Sequence, residues 1–186
     1  MLDSLVVATL VFTASLNGEQ VSIPVNQKHI CAIWEKIADK AELSDIDVSA
    51  PLPKIHFLQK RRFYDDDVMG EYYKKTKRRG PKINIYLKTI QKSIRESTGG
   101  TETNRYKDLK LGRSFRQKVR FKIYSCIAHE LMHHAIALKG VYFSSQQQEI
   151  IILRWMYGIN LNGPAELDSP SPVFIYLRDY LNNYSE

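Results

Sequence analysis

The sequence predicts an α+β fold in which a small mixed β-sheet packs on helices, one of which is central. Three observations lead to this prediction. Short β-branched or alternating runs occur within the first ninety positions, and such runs are typical of strands. Apolar residues recur at helical spacing over most of the second half. With 186 residues the chain can bury one sizeable core, so we expect a single domain over 1–186.

The N-terminal apolar run is predicted to form a β-hairpin. Asn17-Gly18 lies between strand-like stretches at 6–12 and 21–25, and both residues tolerate the positive φ of a type I′ turn. A signal peptide is the alternative, but the run lacks a basic n-region and a cleavage site of the A-x-A type. The run is also too short to span a bilayer, so no membrane association is expected.

A helix and two short strands are predicted next. Asn26 is a plausible N-cap for a helix whose apolar stripe extends to about Ala41. Strands are expected at 54–59 and 82–87, on either side of a charged, tyrosine-bearing stretch at 60–80. We expect this stretch to be a long loop, which in a compact domain is usually functional or mobile.

The longest predicted helix follows an amphipathic helix at 88–96. Ser114 and Gln117 have the spacing of a capping box, with Ser114 as the N-cap. From there the helical pattern continues to Lys139, and Gly140 is a natural C′ residue.

Two further helices complete the prediction. Ser144 and Ser145 each precede a glutamine by three residues, so either could cap the next helix. Its body, 150–157, is apolar almost all round, which predicts a central buried helix. Ser171-Pro172 is predicted to begin the last helix.

Inside the longest helix the chain reads H-E-x-x-H, formed by His129, Glu130 and His133. Residues four apart lie on one helix face, so two neutral imidazoles can bind one metal ion there, most often Zn²⁺. Glu130 projects about 100° round the helix, where it can take a proton from a metal-activated water. The flanking residues 126–128 and 135–138 are apolar, which predicts a buried helix. The alternative is a surface helix with two incidental histidines.

The motif resembles that of the zincin metallopeptidases. A metzincin would carry glycine at 136 and histidine at 139, where this chain has Ile136 and Lys139. No histidine follows His134, which also differs from SprT-like DNA-dependent proteases. The chain is therefore more similar to gluzincins, in which a carboxylate completes the site, and the ImmA/IrrE-type metallopeptidases are the nearest family. This resemblance is specific over 127–134 and suggestive to Gly158. It implies a zincin-like fold, a Zn²⁺ cofactor and peptide-bond hydrolysis.

Glu149 is predicted to be the third metal ligand. An ionised carboxylate that enters the apolar helix body at 150–153 would need a cation, and a helical hairpin could return Glu149 to the two histidines. The rival ligands are Glu166, Asp168 and His56.

Two functions are compatible with these residues. The first is a zinc-dependent endopeptidase with Glu130 as general base, for which Tyr142 and Tyr157 are candidate oxyanion-stabilising residues. The second is a basic nucleic-acid-binding or regulatory protein whose metal site is structural or vestigial.

The net charge of +7 is concentrated in two basic segments. Residues 60–79 hold eight basic against four acidic side chains, and residues 105–122 hold eight against one. Such segments could attract nucleic acid or an acidic protein, or they could simply be solvated. Lys118 and Lys122 lie on nearly the same helix azimuth as His129 and could place positive charge along the approach to the metal.

The two cysteines, Cys31 and Cys126, form no C-x-x-C pair. Neither a disulfide framework nor a cysteine zinc site is expected, and this fits a reducing, cytoplasmic compartment.

Overall fold

The computed structural model of the protein describes residues 6–14, 19–38, 50–61, 67–97, 112–140 and 143–157, together with Ile175 and Asp179. Strands and helices occur in separate groups along this part of the chain, and the described sheets are small and include antiparallel pairs, which confirms the α+β class. The elements are β1 Val6–Ala14, β2 Glu19–Asn26, α1 Gln27–Ala38, β3 Lys54–Leu58, β4 Gly70–Tyr73, β5 Lys82–Tyr86, α2 Leu87–Ser97, α3 Gly112–Leu138 and α4 Ser145–Tyr157.

The first two strands pair antiparallel, as the hairpin prediction required. The register runs from Val6 opposite Asn26 to Ala14 opposite Glu19, with an irregularity between Val6 and Ala8. Because side chains alternate along a strand, one face of this pair enters the core, and it carries Leu10, Phe12, Val21, Ile23 and Val25. The predicted Asn17-Gly18 turn lies outside the described residues.

The other described strands form a three-stranded mixed sheet in the order β3-β5-β4. β3 runs parallel to β5, and β4 runs antiparallel to it. The prediction that 60–80 is a loop throughout is therefore wrong, because Gly70–Tyr73 is an edge strand. This four-residue segment has no apolar alternation of its own. Its pairing with β5, which is buried along most of its length, holds it extended.

Helix α1 begins where the sequence predicted. The Asn26 side chain accepts a hydrogen bond from the Lys28 amide at 2.8 Å, which is the N-cap geometry. The apolar stripe of Ile30, Ile33 and Ile37 is buried. The predicted extension to Ala41 lies outside the described residues.

Helix α3 is the central element, since it contacts α1, α2, α4, β2, β4 and β5. It begins at Gly112, so Ser114 lies in its first turn and the prediction that Ser114 is the N-cap is wrong. A helix fixed by packing along its body can extend beyond a local capping pattern. At its other end Gly140 has a φ of 68°, which agrees with the predicted C′ role.

Helix α4 starts with the capping box centred on Ser144, one of the two predicted alternatives. The Ser144 amide donates to Gln147 Oε1 at 2.9 Å, and the Gln147 amide donates to Ser144 Oγ at 3.3 Å. The prediction of a helix buried all round is wrong for the described side chains, because Ile150 is 39% exposed. Buried Ile152 and Met156 are four residues apart and form a single stripe.

Of the predicted last helix, the structure describes Ile175 and Asp179, which are both helical and exposed. No helix in the described part of the chain is long and apolar enough to cross a membrane.

Candidate metal centre

Helices α3 and α4 bring three potential metal ligands together. His129 and His133 lie one turn apart on α3, with ring centroids 5.1 Å from each other. After Gly140 the chain turns, and α4 places Glu149 against both rings. Glu149 Oε2 lies 3.3 Å from His129 Nε2, and Glu149 Oε1 lies 3.0 Å from His133 Nε2.

These three residues could hold a metal ion. One ligand atom from each lies within 4.8 Å of the others, and the two carboxylate oxygens face different imidazoles. Two imidazole nitrogens and one carboxylate oxygen suit zinc and other divalent transition metals. The donor set therefore fits a catalytic zinc site, which has three protein ligands and one open position.

Glu149 reaches this position for a different reason from the one the sequence suggested. Its side chain is 48% exposed, so the prediction of a carboxylate buried in an apolar core is wrong. The buried residues of α4 that the structure describes are Ile152 and Met156, and Glu149 lies one turn before Ile152, near the helix start. Hydrogen bonds from His129 and then His133 hold the pKa of Glu149 well below its usual range.

Gln148 orients His133, and sequence reasoning missed it. The His133 Nδ1 atom lies 3.0 Å from Gln148 Oε1, and Gln148 Nε2 donates to the Phe143 carbonyl at 3.0 Å. The amide oxygen can accept only if Nδ1 carries a proton. In the protonated ring Nε2 also donates to Glu149, whereas in the neutral ring the Nε2 lone pair would be available to a metal ion. Burial lowers the pKa of His133, but hydrogen bonds to Glu149 and Gln148 outweigh it and raise the pKa.

Glu130 lies beside the triad and against β4. It is 5% exposed, and the Tyr72 backbone amide donates a hydrogen bond to its carboxylate. A Cβ atom at Gly70 would lie 2.8 Å from Glu130 Oε1 and 2.8 Å from Cys126 Sγ, so only glycine permits this close approach of β4. Burial raises the pKa of Glu130, with His129 and His133 acting against it.

The second histidine of the His133-His134 pair has a separate position. His134 is 2% exposed and its Nδ1 atom lies 3.0 Å from the Tyr72 hydroxyl. The Trp34 ring is also in contact with it. His134 therefore ties α3 to β4 and α1, and burial lowers its pKa.

A cavity of about 1240 Å³ surrounds the triad. Its lining includes Glu130, β4 and the basic side chains of Lys74, Arg79, Lys82 and Lys122. Lys122 thus lines the cavity that contains the triad, in agreement with its helix azimuth. Lys118 is exposed on the helix surface.

The other sequence candidates are not part of this cluster. His56 is exposed on β3 and does not belong to the metal-binding group found among the described residues. Glu166, Asp168 and Tyr142 lie outside the described residues, as does the side chain of Tyr157. The residues that sequence reasoning missed are Gly70, Tyr72 and Gln148. Of these three, only Gln148 could have been suspected from the sequence, because it is adjacent to the predicted ligand Glu149.

Comparisons with protein-family models, with curated proteins and with solved structures find no match to this chain.

Proposed function

We propose that the protein is a zinc-dependent endopeptidase of the gluzincin type, with a site similar to that of ImmA/IrrE-type metallopeptidases. The observation that carries this proposal is the juxtaposition, in one cavity, of the His129, His133 and Glu149 triad with the buried carboxylate of Glu130. In this proposal the triad binds Zn²⁺ and Glu130 is the general base. The free thiols of Cys31 and Cys126 support a cytoplasmic location.

In the proposed reaction the zinc ion and the protein residues have separate roles. When bound, Zn²⁺ supplies a Lewis acid that polarises the peptide carbonyl and acidifies a water. Glu130 accepts a proton from the attacking water and passes it to the leaving amine. The Tyr72 amide fixes the carboxylate, and Gln148 fixes the His133 tautomer.

Strand β4 offers a place for an extended substrate. It is one of the two edge strands of the three-stranded sheet formed by the described residues. The Tyr86 amide donates to the Met69 carbonyl at 2.8 Å, so by antiparallel alternation the backbone groups of Gly70 and Tyr72 face away from β5. The Tyr72 amide donates to Glu130, so the Gly70 backbone groups and the Tyr72 carbonyl are the ones that we propose for pairing with a substrate. A polypeptide main chain can pair with such an edge, next to Glu130.

The first test is metal content. The purified protein should contain about one zinc per chain, and zinc affinity should collapse in Glu149→Ala and in the His129→Ala, His133→Ala double variant. The same titration includes variants of the three rival ligands: His56→Ala, Glu166→Ala and Asp168→Ala. If Glu149→Ala binds zinc like the wild type while one of the rivals does not, Glu149 is not the ligand.

The second test is peptide hydrolysis. Peptide libraries are incubated with zinc-loaded protein and products are identified by mass spectrometry. The Glu130→Gln variant should have the zinc content and the folded structure of the wild type, while its peptidase activity falls about 10²–10⁴-fold. Glu35→Gln, which alters an exposed glutamate on α1, is the matched control. Unchanged turnover in Glu130→Gln would exclude the mechanism, and loss of zinc would make Glu130 a ligand.

A nucleic-acid-binding or regulatory protein with a structural metal is the second candidate. The exposed basic residues between β4 and β5 favour it. In that case binding should fall steeply with salt and should not depend on Glu130.

A further inference from the structure

The segment that joins β4 to β5 is strongly basic. We call residues 74–79 the basic turn: it contains Lys74, Lys75, Lys77, Arg78 and Arg79 and no acidic residue. All five side chains are exposed.

Local hydrogen bonds hold the basic turn in one conformation. The Thr76 amide donates to the Arg79 carbonyl at 2.9 Å, and the Arg79 amide donates to Thr76 Oγ1 at 3.1 Å. The carboxylate on the adjoining strand, Glu71, is already bound by Arg61, Tyr73 and Tyr86. The turn therefore presents a fixed group of cations that Glu71 does not neutralise.

The basic turn is continuous with the candidate metal centre. Lys74 and Arg79 line the same cavity as the triad. Along β4, Gly70 lies against Glu130, Tyr72 lies against His134, and Lys74 follows directly after the strand. At about 3.3 Å per residue, the four steps of extended chain from Gly70, beside Glu130, to Lys74, at the start of the basic turn, span roughly 13 Å.

The charges in the cavity favour an acidic ligand. Of its three carboxylates, Glu71 is engaged by Arg61, Glu149 is engaged by two histidines, and Glu130 is buried. Four cations, Lys74, Arg79, Lys82 and Lys122, line the same space. A divalent ion in the triad would increase this positive field, and such a cavity concentrates anionic partners.

We propose that the substrate is a polypeptide with acidic side chains about three to five residues from the cleaved bond, and that the basic turn recognises them. This inference rests on the proposed endopeptidase function. A polypeptide is favoured over nucleic acid because β4, an edge strand among the described residues, leads from the candidate metal centre to the turn, and the Gly70 backbone on it offers main-chain hydrogen-bonding groups.

Binding of fluorescein-labelled peptides to the Glu130→Gln protein tests the inference without turnover. Two extended peptides are compared by fluorescence anisotropy at physiological ionic strength, identical except that glutamates in one are glutamines in the other. We expect the acidic peptide to bind about tenfold more tightly. A Lys74→Gln, Lys77→Gln, Arg79→Gln variant should lose this preference.

The matched control removes the same charge elsewhere. Lys54, Lys60 and Lys88 are exposed, and Lys54 lies on β3, at the opposite edge of the sheet from β4. Their triple glutamine variant should keep the preference. The inference is overturned if both peptides bind equally or if this control loses the preference to the same extent. It is also overturned if labelled single-stranded or duplex DNA binds more tightly than the acidic peptide and binding depends on the basic turn.

The two proposals can fail separately. Equal cleavage of the glutamate and glutamine peptides by the zinc-loaded wild type would support the endopeptidase and overturn the acidic preference. Turn-dependent binding of the acidic peptide, with no cleavage of any peptide, would support the recognition surface and exclude the endopeptidase.

Discussion

The hydrogen bond between His133 Nδ1 and Gln148 holds the imidazole ring so that its other nitrogen, Nε2, faces Glu149. Loss of an outer partner of this kind typically lowers metal affinity or activity about 10–100-fold. We therefore predict that Gln148→Ala weakens zinc binding by this factor, as measured by competition with a chelator. Gln146→Ala, an exposed position in the same turn of α4, should bind zinc like the wild type. Equal affinities for the two variants would show that Gln148 does not orient the ligand.

Gly70 is a position where β4 comes close to Glu130, and an added methyl group would overlap both Glu130 and Cys126. Gly70→Ala must displace the carboxylate or the strand, and overpacking of this kind costs about 1–3 kcal/mol. We predict a lower free energy of unfolding and a lower kcat/KM, with zinc content retained. Gly80→Ala is the control, since within the described part of the chain, its two neighbours aside, no atom lies within 4 Å of the position that its added methyl group would take. Wild-type kcat/KM in Gly70→Ala would show that the close approach has no role in placing Glu130.

At the scale of elements, the sequence predicted those whose own pattern is strong. α3 has a long apolar periodicity and a glycine stop, and α1 has an N-cap, so both were recognised. β4 was missed because nothing within Gly70–Tyr73 indicates a strand, and its conformation depends on pairing with β5. α4 was predicted, but its burial was overestimated. An apolar composition does not show how many faces of a helix pack against other elements.

The contact between α1 and α3 includes a histidine that should make stability depend on pH. The Tyr124 hydroxyl accepts a hydrogen bond from the Asn26 amide at 3.0 Å and lies 3.1 Å from His29 Nδ1. This geometry lets the hydroxyl donate to a neutral imidazole. Burial, with a smaller effect from Arg120 and Lys28, lowers the pKa of His29 from 6.5 to about 4.

Because the pKa of His29 is lower in the folded state, its neutral form contributes stability that is fully present above pH 6.5 and lost as the pH falls toward 4. Between these values the unfolded chain binds a proton that the folded chain does not. We predict that His29→Gln reduces the loss of unfolding free energy between neutral pH and pH 4 by about 1 kcal/mol, allowing for solvent screening of this partly exposed ring. Denaturant unfolding at several pH values measures it. Parallel pH profiles for the two proteins would contradict the assignment.

At the scale of the whole molecule, the candidate site combines three elements that are far apart in the sequence. α3 contributes His129, Glu130 and His133, which the motif identified directly. α4 contributes Glu149, whose place in the site could be predicted only by assuming that α3 and α4 form a hairpin. β4 contributes Gly70 and Tyr72, which no local pattern indicated. Ligands within one helix follow from its periodicity, whereas groups that meet across elements depend on tertiary packing that the sequence does not display.

The joining of α3 and α4 through the triad predicts that zinc stabilises the fold. Of the α4 side chains that the structure describes, only Ile152 and Met156 are buried, so a metal shared by the two helices would add a substantial connection. A ligand that binds only the folded state stabilises it by about 2.7 kcal/mol at a hundred times its Kd. For a chain of this size that corresponds to a Tm increase of roughly 5–10 °C.

Calorimetry of chelator-treated protein, with and without added zinc, measures this increase. Glu130→Gln should show the wild-type rise, because in our proposal its side chain does not bind the metal. Glu149→Ala should lose most of the rise, because the ion would then be held by α3 alone and would no longer connect the two helices. An equal rise in Glu149→Ala and the wild type would mean that zinc stabilises the protein without α4, and that the encounter of Glu149 with the two histidines is a salt bridge and not a metal site.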